Sequence, residues 1–148
     1  MMPPGCGGTE AMDIRFQRED DLGAGEFIDL LRRSGLAARR PVDDAACIAG
    51  MLAKASLIVS ARAAEGRLVG VSRCLTDFAF CCYCSDLAVD AAQQGAGIGR
   101  ELIRQSRAEA GEQCHFILIG APDAAGYYPH IGLQRFESCF GLVGGSTW

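Results

Sequence analysis

The run Ser85-Asp86-Leu87-Ala88-Val89-Asp90-Ala91-Ala92-Gln93-Gln94-Gly95-Ala96-Gly97-Ile98-Gly99-Arg100 decides what fold this chain can adopt. It reads as the end of a strand, a short polar exit, a glycine loop and the start of a helix. Backbone N–H groups at a helix N-terminus point outward and carry the positive end of the dipole, so the loop suits a phosphate or pyrophosphate. Gly95, Gly97 and Gly99 supply permissive dihedrals and let a ligand approach without an intervening Cβ. Arg100 and Arg104 stand in the first turns, where guanidinium groups can add charge-assisted bonds to phosphate oxygens. Two familiar nucleotide loops do not fit. Gly99 is followed by Arg100-Glu101 where a P-loop needs Lys and Ser or Thr, and G-x-G-x-G is not the Rossmann spacing.

Outward from this run, the chain alternates helices and strands. Met12 to Phe16 alternates apolar and polar residues as a half-buried strand does. Glu26 to Arg33 puts Phe27, Leu30 and Leu31 on one helical face, with Gly35 as the stop. A second helix spans about Val42 to Ala55, with Asp43 or Asp44 as its cap. Leu57 to Arg62 and Arg67 to Arg73 flank Ala64-Glu65-Gly66 as a hairpin, and Ala79 to Val89 follows as a third strand. Gly97 to Gly111 is a helix with Ile98, Leu102 and Ile103 inward. His115 to Ile119 is almost wholly apolar, which predicts a central strand buried on both faces. Ala125 to Gly132 reads as a short helix or turn interrupted by Pro129, and a last strand is expected from about Arg135 to Leu142. The order gives a mixed α+β fold with about six strands, mostly antiparallel, and one strand–helix–strand crossover.

Composition narrows the function classes. The 148 residues are 49% hydrophobic and 22% charged, which fits one globular domain over residues 12–148 behind a disordered leader at 1–11. Fourteen Lys and Arg against eighteen Asp and Glu give a net charge of -4, and no basic run exists to neutralise a nucleic-acid backbone. No stretch of 18 apolar residues points to a membrane span, and the start lacks a signal-peptide pattern, so a cytoplasmic location is expected. The eight cysteines, at positions 6, 47, 74, 81, 82, 84, 114 and 139, are then reduced thiols. Cys81 and Cys84 form a C-x-x-C, but on a strand residues three apart face opposite sides, and no second ligand pair follows. Buried filler is the expectation, with no metal.

Gln94-Gly95-Ala96-Gly97-Ile98-Gly99 resembles the Gln/Arg-x-x-Gly-x-Gly/Ala motif of the GNAT superfamily of acetyl-CoA-dependent N-acetyltransferases. Asp86-Leu87-Ala88-Val89-Asp90 is similar to the strand that leads into that motif. Tyr127-Tyr128-Pro129-His130-Ile131-Gly132-Leu133 is similar to the family's aromatic-Tyr-x-x-x-Gly-aromatic segment. The resemblance spans about residues 12 to 140.

It implies a sheet whose parallel strand pair splays apart to hold acetyl-CoA. Leu87, Ala88 and Val89 then line the acetyl and pantetheine, with backbone groups of Leu87 and Val89 as partners. Gln94, Gly95, Ala96, Gly97, Ile98, Gly99 and Arg100 hold the pyrophosphate. A backbone N–H aimed at the thioester oxygen acts as an oxyanion donor. Tyr128 matches the acid that protonates the departing thiolate. Asp86, expected on one face of a flat strand with Cys84 and Ala88, is one candidate for the base that deprotonates the amine, with a structural role as its alternative; Glu26, Asp77 and Glu137 are looser candidates, and a water relay would need none of them. His115 and His130 carry no such expectation. Ala121 stands where an asparagine often contacts the cofactor. The expected acceptor is a primary amine on a small molecule or peptide. A non-catalytic acyl-CoA sensor on the same scaffold is the alternative. Only one strand's length of chain follows Tyr128, so a homodimer is expected to cover the open sheet edge.

Overall fold

A computed structural model describes residues 13–146. The expected leader lies outside them. Contacts divide the chain into two units, the first ending at Leu118 and the second beginning at Ile119.

Among the described residues the first unit holds one five-stranded sheet in the order β1-β2-β3-β4-β5, with β1 at Arg15–Arg18, β2 at Leu57–Arg62, β3 at Leu68–Thr76, β4 at Cys81–Val89 and β5 at His115–Leu118. Every neighbouring pair is antiparallel except β4 and β5, which run parallel. Three helices flank it: α1 at Ala24–Ser34, α2 at Ala45–Ala53 and α3 at Ile98–Ala110. Alternate residues of β2 feed opposite faces, as a period of two requires, and in β3 a register shift that leaves Val69 unpaired puts Leu68 and Val71 on the same side. Ile58, Leu68 and Val71 join Phe27, Leu30 and Leu31 of α1, while Val59, Ala61 and Val69 join Ile98 and Leu102 of α3. Phe27, Leu30 and Leu31 are fully buried, at i, i+3 and i+4, and each burial is worth about 1.5–3 kcal/mol. Gly70 lets α3 sit close: a Cβ there would lie 3.0 Å from both Ile98 Cγ2 and Leu102 Cδ1.

The helices stop for the reasons read in the sequence. Gly35 ends α1 in the left-handed region at φ 85°, and Asp44 caps α2 by accepting from the Cys47 amide at 2.9 Å. β1 lies further along the chain than the alternation predicts. Arg15 pairs with Arg62, the last residue of β2, so Asp13 and Ile14 have no ladder to join, and Met12 lies outside the described residues.

Two strand expectations are corrected. β5 is not central: β3 occupies the other side of β4, so β5 is added at the sheet's end, and Ile117 is 38% exposed. Its apolar composition therefore does not report burial on both faces. No strand forms from Arg135 to Leu142. The second unit has only the 3-10 turn Pro122–Ala124 and the short helix α4 at Tyr127–His130, so among the described residues it offers no ladder for another strand. Glycines 141, 144 and 145 punctuate the segment, and Phe136, Phe140 and Leu142 are exposed.

Candidate active site

The site is built on β4. Cys81 to Cys84 pair with His115 to Leu118, and there β5 ends. From Ser85 onward β4 keeps only β3 beside it. The register with β3 passes from Cys74↔Cys84 to Arg73↔Asp86, which leaves Ser85 as a bulge. The bulge switches faces: Cys82 and Cys84 pack in the core beneath α3, whereas Ala88 packs beneath α1. Asp86 accordingly shares a face with Ala88 and not with Cys84, correcting the flat-strand expectation.

The bulge also sets where the amides point. The Asp90 amide donates to the Val69 carbonyl at 2.9 Å, so alternate residues Ala88 and Asp86 face β3 as well. Leu87 and Val89 therefore aim their backbone groups away from β3, into the gap past the end of β5. The Val89 carbonyl takes a bond from Gln94 Nε2 at 3.0 Å.

Asp90 closes the strand. It is 4% exposed, is bound by Arg33 and by Arg67, and accepts the Ala92 amide at 2.9 Å. Burial alone would raise its pKa, but the amide and the two guanidinium groups outweigh it and hold the carboxyl below its ordinary value. The chain then turns through Gly95 at φ 86° and Gly97 at φ 82°, and a Cβ at either position would meet no atom within 4 Å. α3 opens at Ile98 without a side-chain cap, and its first helical bond is Glu101 N–H to Gly97 O. The amides of Ile98, Gly99 and Arg100 thus lack an intrahelical acceptor. Glu101 sits in this first turn, yet Arg104 holds it at 2.7 Å and Gln105 at 2.9 Å. Hydrogen bonding from Arg104, chiefly, brings the Glu101 pKa to about 2. Arg104 is therefore engaged within its own helix, and Arg100, exposed, is the arginine turned outward at this end.

Asp86 is fully buried and both its oxygens are occupied by guanidinium groups, Oδ1 by Arg40 Nε and Oδ2 by Arg73 Nε. The same arginines grip Ser85: Arg40 Nη2 donates to its carbonyl at 2.7 Å and Arg73 Nη2 to its hydroxyl at 3.0 Å. This geometry favours the ion-pair role over the base role weighed for Asp86. The other carboxylates considered are engaged or remote. Glu26 binds Arg62 at 2.6 Å, Glu137 lies exposed in the second unit, and Asp77 accepts the amides of Phe80, Ala79 and Cys81. Those amides, Phe80 first, hold the Asp77 pKa at about 2.

The first unit thus gathers Leu87, Ala88, Val89 and the Gln94–Arg100 loop on consecutive elements. Tyr128 belongs to the second unit. It is half-buried on α4, its ring meets Tyr127 edge-on at 5.3 Å, and it covers Gly120 so closely that a Cβ there would lie 2.8 Å from Tyr128 Cε2. Cys74, Cys82, Cys84 and Cys114 are buried, and hydrogen bonding to Cys74 together with burial pushes the Cys84 thiol well up. Cys81 is exposed, on the face opposite Cys84. Among the described residues no group of three His, Cys, Asp or Glu side chains has a metal-holding arrangement, and no helix is long and apolar enough to cross a membrane. Sequence reasoning missed Arg40, Arg73 and the Ser85 bulge. A basic pair before a proline, Arg39-Arg40-Pro41, is the one local signal, and it does not reveal a partner 46 residues away.

Comparison with known proteins agrees with this architecture. Residues 54–134, more than half of the chain, match the family model of the acetyltransferase (GNAT) domain. A GNAT-family acetyltransferase from Streptococcus pneumoniae superposes with a TM-score of 0.63 at 17% identity, covering 88% of this chain and 96% of that one. An acetyltransferase from Trypanosoma brucei gives 0.59 at 22%, covering 88% and 99%. An aminoglycoside acetyltransferase from an uncultured soil metagenomic sample, in complex with trehalose, gives 0.65 at 19%, covering 90% and 97%. No curated protein matches the sequence.

Proposed function

The chain belongs to the GNAT acetyltransferase family, and from that premise we propose that it is an N-acetyltransferase moving the acetyl group of acetyl-CoA to a primary amine of a small molecule or peptide. The observation that carries the proposal is the unpaired edge of β4 leading directly into the uncapped, glycine-opened start of α3. An extended backbone edge followed by a cradle of free amides fits a pantetheine arm that ends in a pyrophosphate. Leu87, Ala88 and Val89 hold the arm, and Gln94, Gly95, Ala96, Gly97, Ile98, Gly99 and Arg100 hold the phosphates.

The amine nitrogen attacks the thioester carbonyl directly. The Leu87 N–H stabilises the oxygen as charge develops on it, a donor whose loss costs about 10²–10³ in kcat in comparable sites. The carbon–sulfur bond then breaks, and the Tyr128 phenol gives its proton to the departing sulfur. A phenol and a thiol have ordinary pKa values of about 10 and about 8.5, close enough for that transfer. The proton lost by the amine leaves through water, because Asp86 is taken up by Arg40 and Arg73.

The seven free cysteines among the described residues support work in a reducing, cytoplasmic setting. The exposed Phe136, Phe140 and Leu142 support a homodimer that covers them. A monodisperse monomer in sedimentation at micromolar concentration counts against the dimer.

The test is calorimetry with acetyl-CoA, followed by thiol release across a panel of amines. Binding with turnover is expected, and Tyr128→Phe should lose turnover while keeping binding. Absence of binding overturns the proposal. Tight binding without turnover on any amine, unaffected by Tyr128→Phe, favours an acyl-CoA sensor instead.

A further inference from the structure

We infer that Arg40, with Asp86 and Arg73, forms a clasp on the Ser85 bulge that positions the acetyl-binding backbone of β4. The inference rests on the proposed acetyl-CoA site and assigns a role that the site's own residues do not fill. Ser85 is the first β4 residue past the end of β5, and it is also the residue without a partner on β3. A bulge residue at the point where one neighbouring strand has stopped has little backbone pairing to hold it. Here side chains replace that pairing. Arg40 reaches from the 3-10 turn Leu36–Arg39 to the Ser85 carbonyl at 2.7 Å, and Arg73 reaches from β3 to the Ser85 hydroxyl at 3.0 Å.

Asp86 locks both guanidinium groups at once, and Arg73 is tied further to the Met51 carbonyl of α2 at 3.3 Å. The clasp therefore ties the segment between α1 and α2, and α2 itself, to one peptide of β4. The Leu87 amide is two residues along, and its direction into the gap depends on the bulge being held. A rotation of the Ser85 peptide passes into that amide, and a donor misaligned by tens of degrees loses most of its hydrogen bond. Arg40 is thus a positioning residue, acting through Ser85. Its guanidinium is needed because one planar group must serve a carboxylate and a carbonyl together, which a lysine ammonium on its flexible stem does less well.

The experiment is isotope-edited infrared spectroscopy of acetyl-CoA labelled with 13C at the acetyl carbonyl, free and bound. With the parent protein the bound carbonyl band should shift to lower wavenumber, reporting a hydrogen bond to the thioester oxygen. Arg40→Ala should bind CoA yet lose or broaden that shift, and Arg40→Lys should restore part of it. Arg62→Ala, which removes the ion pairs to Glu19 and Glu26, serves as a destabilising control that leaves the band in place. If Arg40→Ala does not fold, Arg40→Met, which keeps the stem but donates no hydrogen bond to Ser85, is read in the same way. A parent that binds acetyl-CoA but shows no shift, or a shift that survives Arg40→Ala undiminished, overturns the inference. A parent that does not bind acetyl-CoA at all instead overturns the proposed function.

Discussion

Replacing Asp86 by Asn separates the two roles open to a carboxylate at this place. In the folded protein Asp86 has no exposed surface, the Arg73 side chain is 6% exposed and that of Arg40 is 21% exposed. Asparagine keeps the shape but presents an NH2 group to a guanidinium where an oxygen had accepted. Two positive charges, one almost fully buried, then lose their counter-charge. Removing one partner of a buried pair costs about 3–5 kcal/mol, a large share of the roughly 5–15 kcal/mol that holds a domain together. The assay is urea denaturation followed by tryptophan-independent far-UV dichroism, comparing midpoints at constant slope. Asp86→Leu combined with Arg73→Met should recover part of the loss, because it removes the more deeply buried of the two charges left without a partner and leaves only the 21%-exposed Arg40 side chain. In the pH dependence of turnover, Asp86→Asn should keep the limb that a general base would produce. A midpoint near that of the parent, together with loss of that limb, would refute the ion-pair reasoning and return Asp86 to the role of base.

Other outcomes follow from single positions. Gly97→Ala places a Cβ at φ 82°, in open space, so its cost is backbone strain of about 1 kcal/mol, and calorimetry should show weaker CoA binding through a distorted loop. Gly70→Ala pushes a methyl to within 3.0 Å of Ile98 and Leu102 and 3.2 Å of Ala61; overpacking of this kind costs about 1–3 kcal/mol and should lower the melting temperature. Glu19, bound chiefly by Arg62, has its pKa lowered from 4.5 to about 2, so its stabilising contribution is complete above pH 4.5 and is lost as pH falls toward 2. That contribution is at most about 3 kcal/mol, and Glu19→Gln should flatten this part of the acid-denaturation curve.

The elements that carry the candidate site were legible because their signals are local. Glycines that must take a positive φ, an apolar stripe at helical spacing in α3 and an alternating hairpin each report on a few neighbouring residues. The first failure lay in β5. His115-Phe116-Ile117-Leu118 is as apolar as a central strand, and its place at the sheet's end is decided by β3 having already taken the other side of β4. The second lay at Ser85, where one unpaired residue turns Asp86 to the opposite face from Cys84. Nothing in Cys84-Ser85-Asp86 marks a bulge, and the arginines that hold it come from 13 and 46 residues away. The expected strand at Arg135–Leu142 failed for a related reason: alternation supplies a face but not a ladder to join.

The bulge and the buried thiols together have a practical consequence for following motions of β4. Cys82 and Cys84 lie on the strand that carries the site and are shielded with Cys74 and Cys114, while Cys47, Cys81 and Cys139 are exposed. A thiol-modifying pulse therefore labels two populations on different clocks, one at once and the other only when the sheet opens. Peptide mapping of the slow population would time the opening of β4 itself, residue by residue, in the unmodified protein.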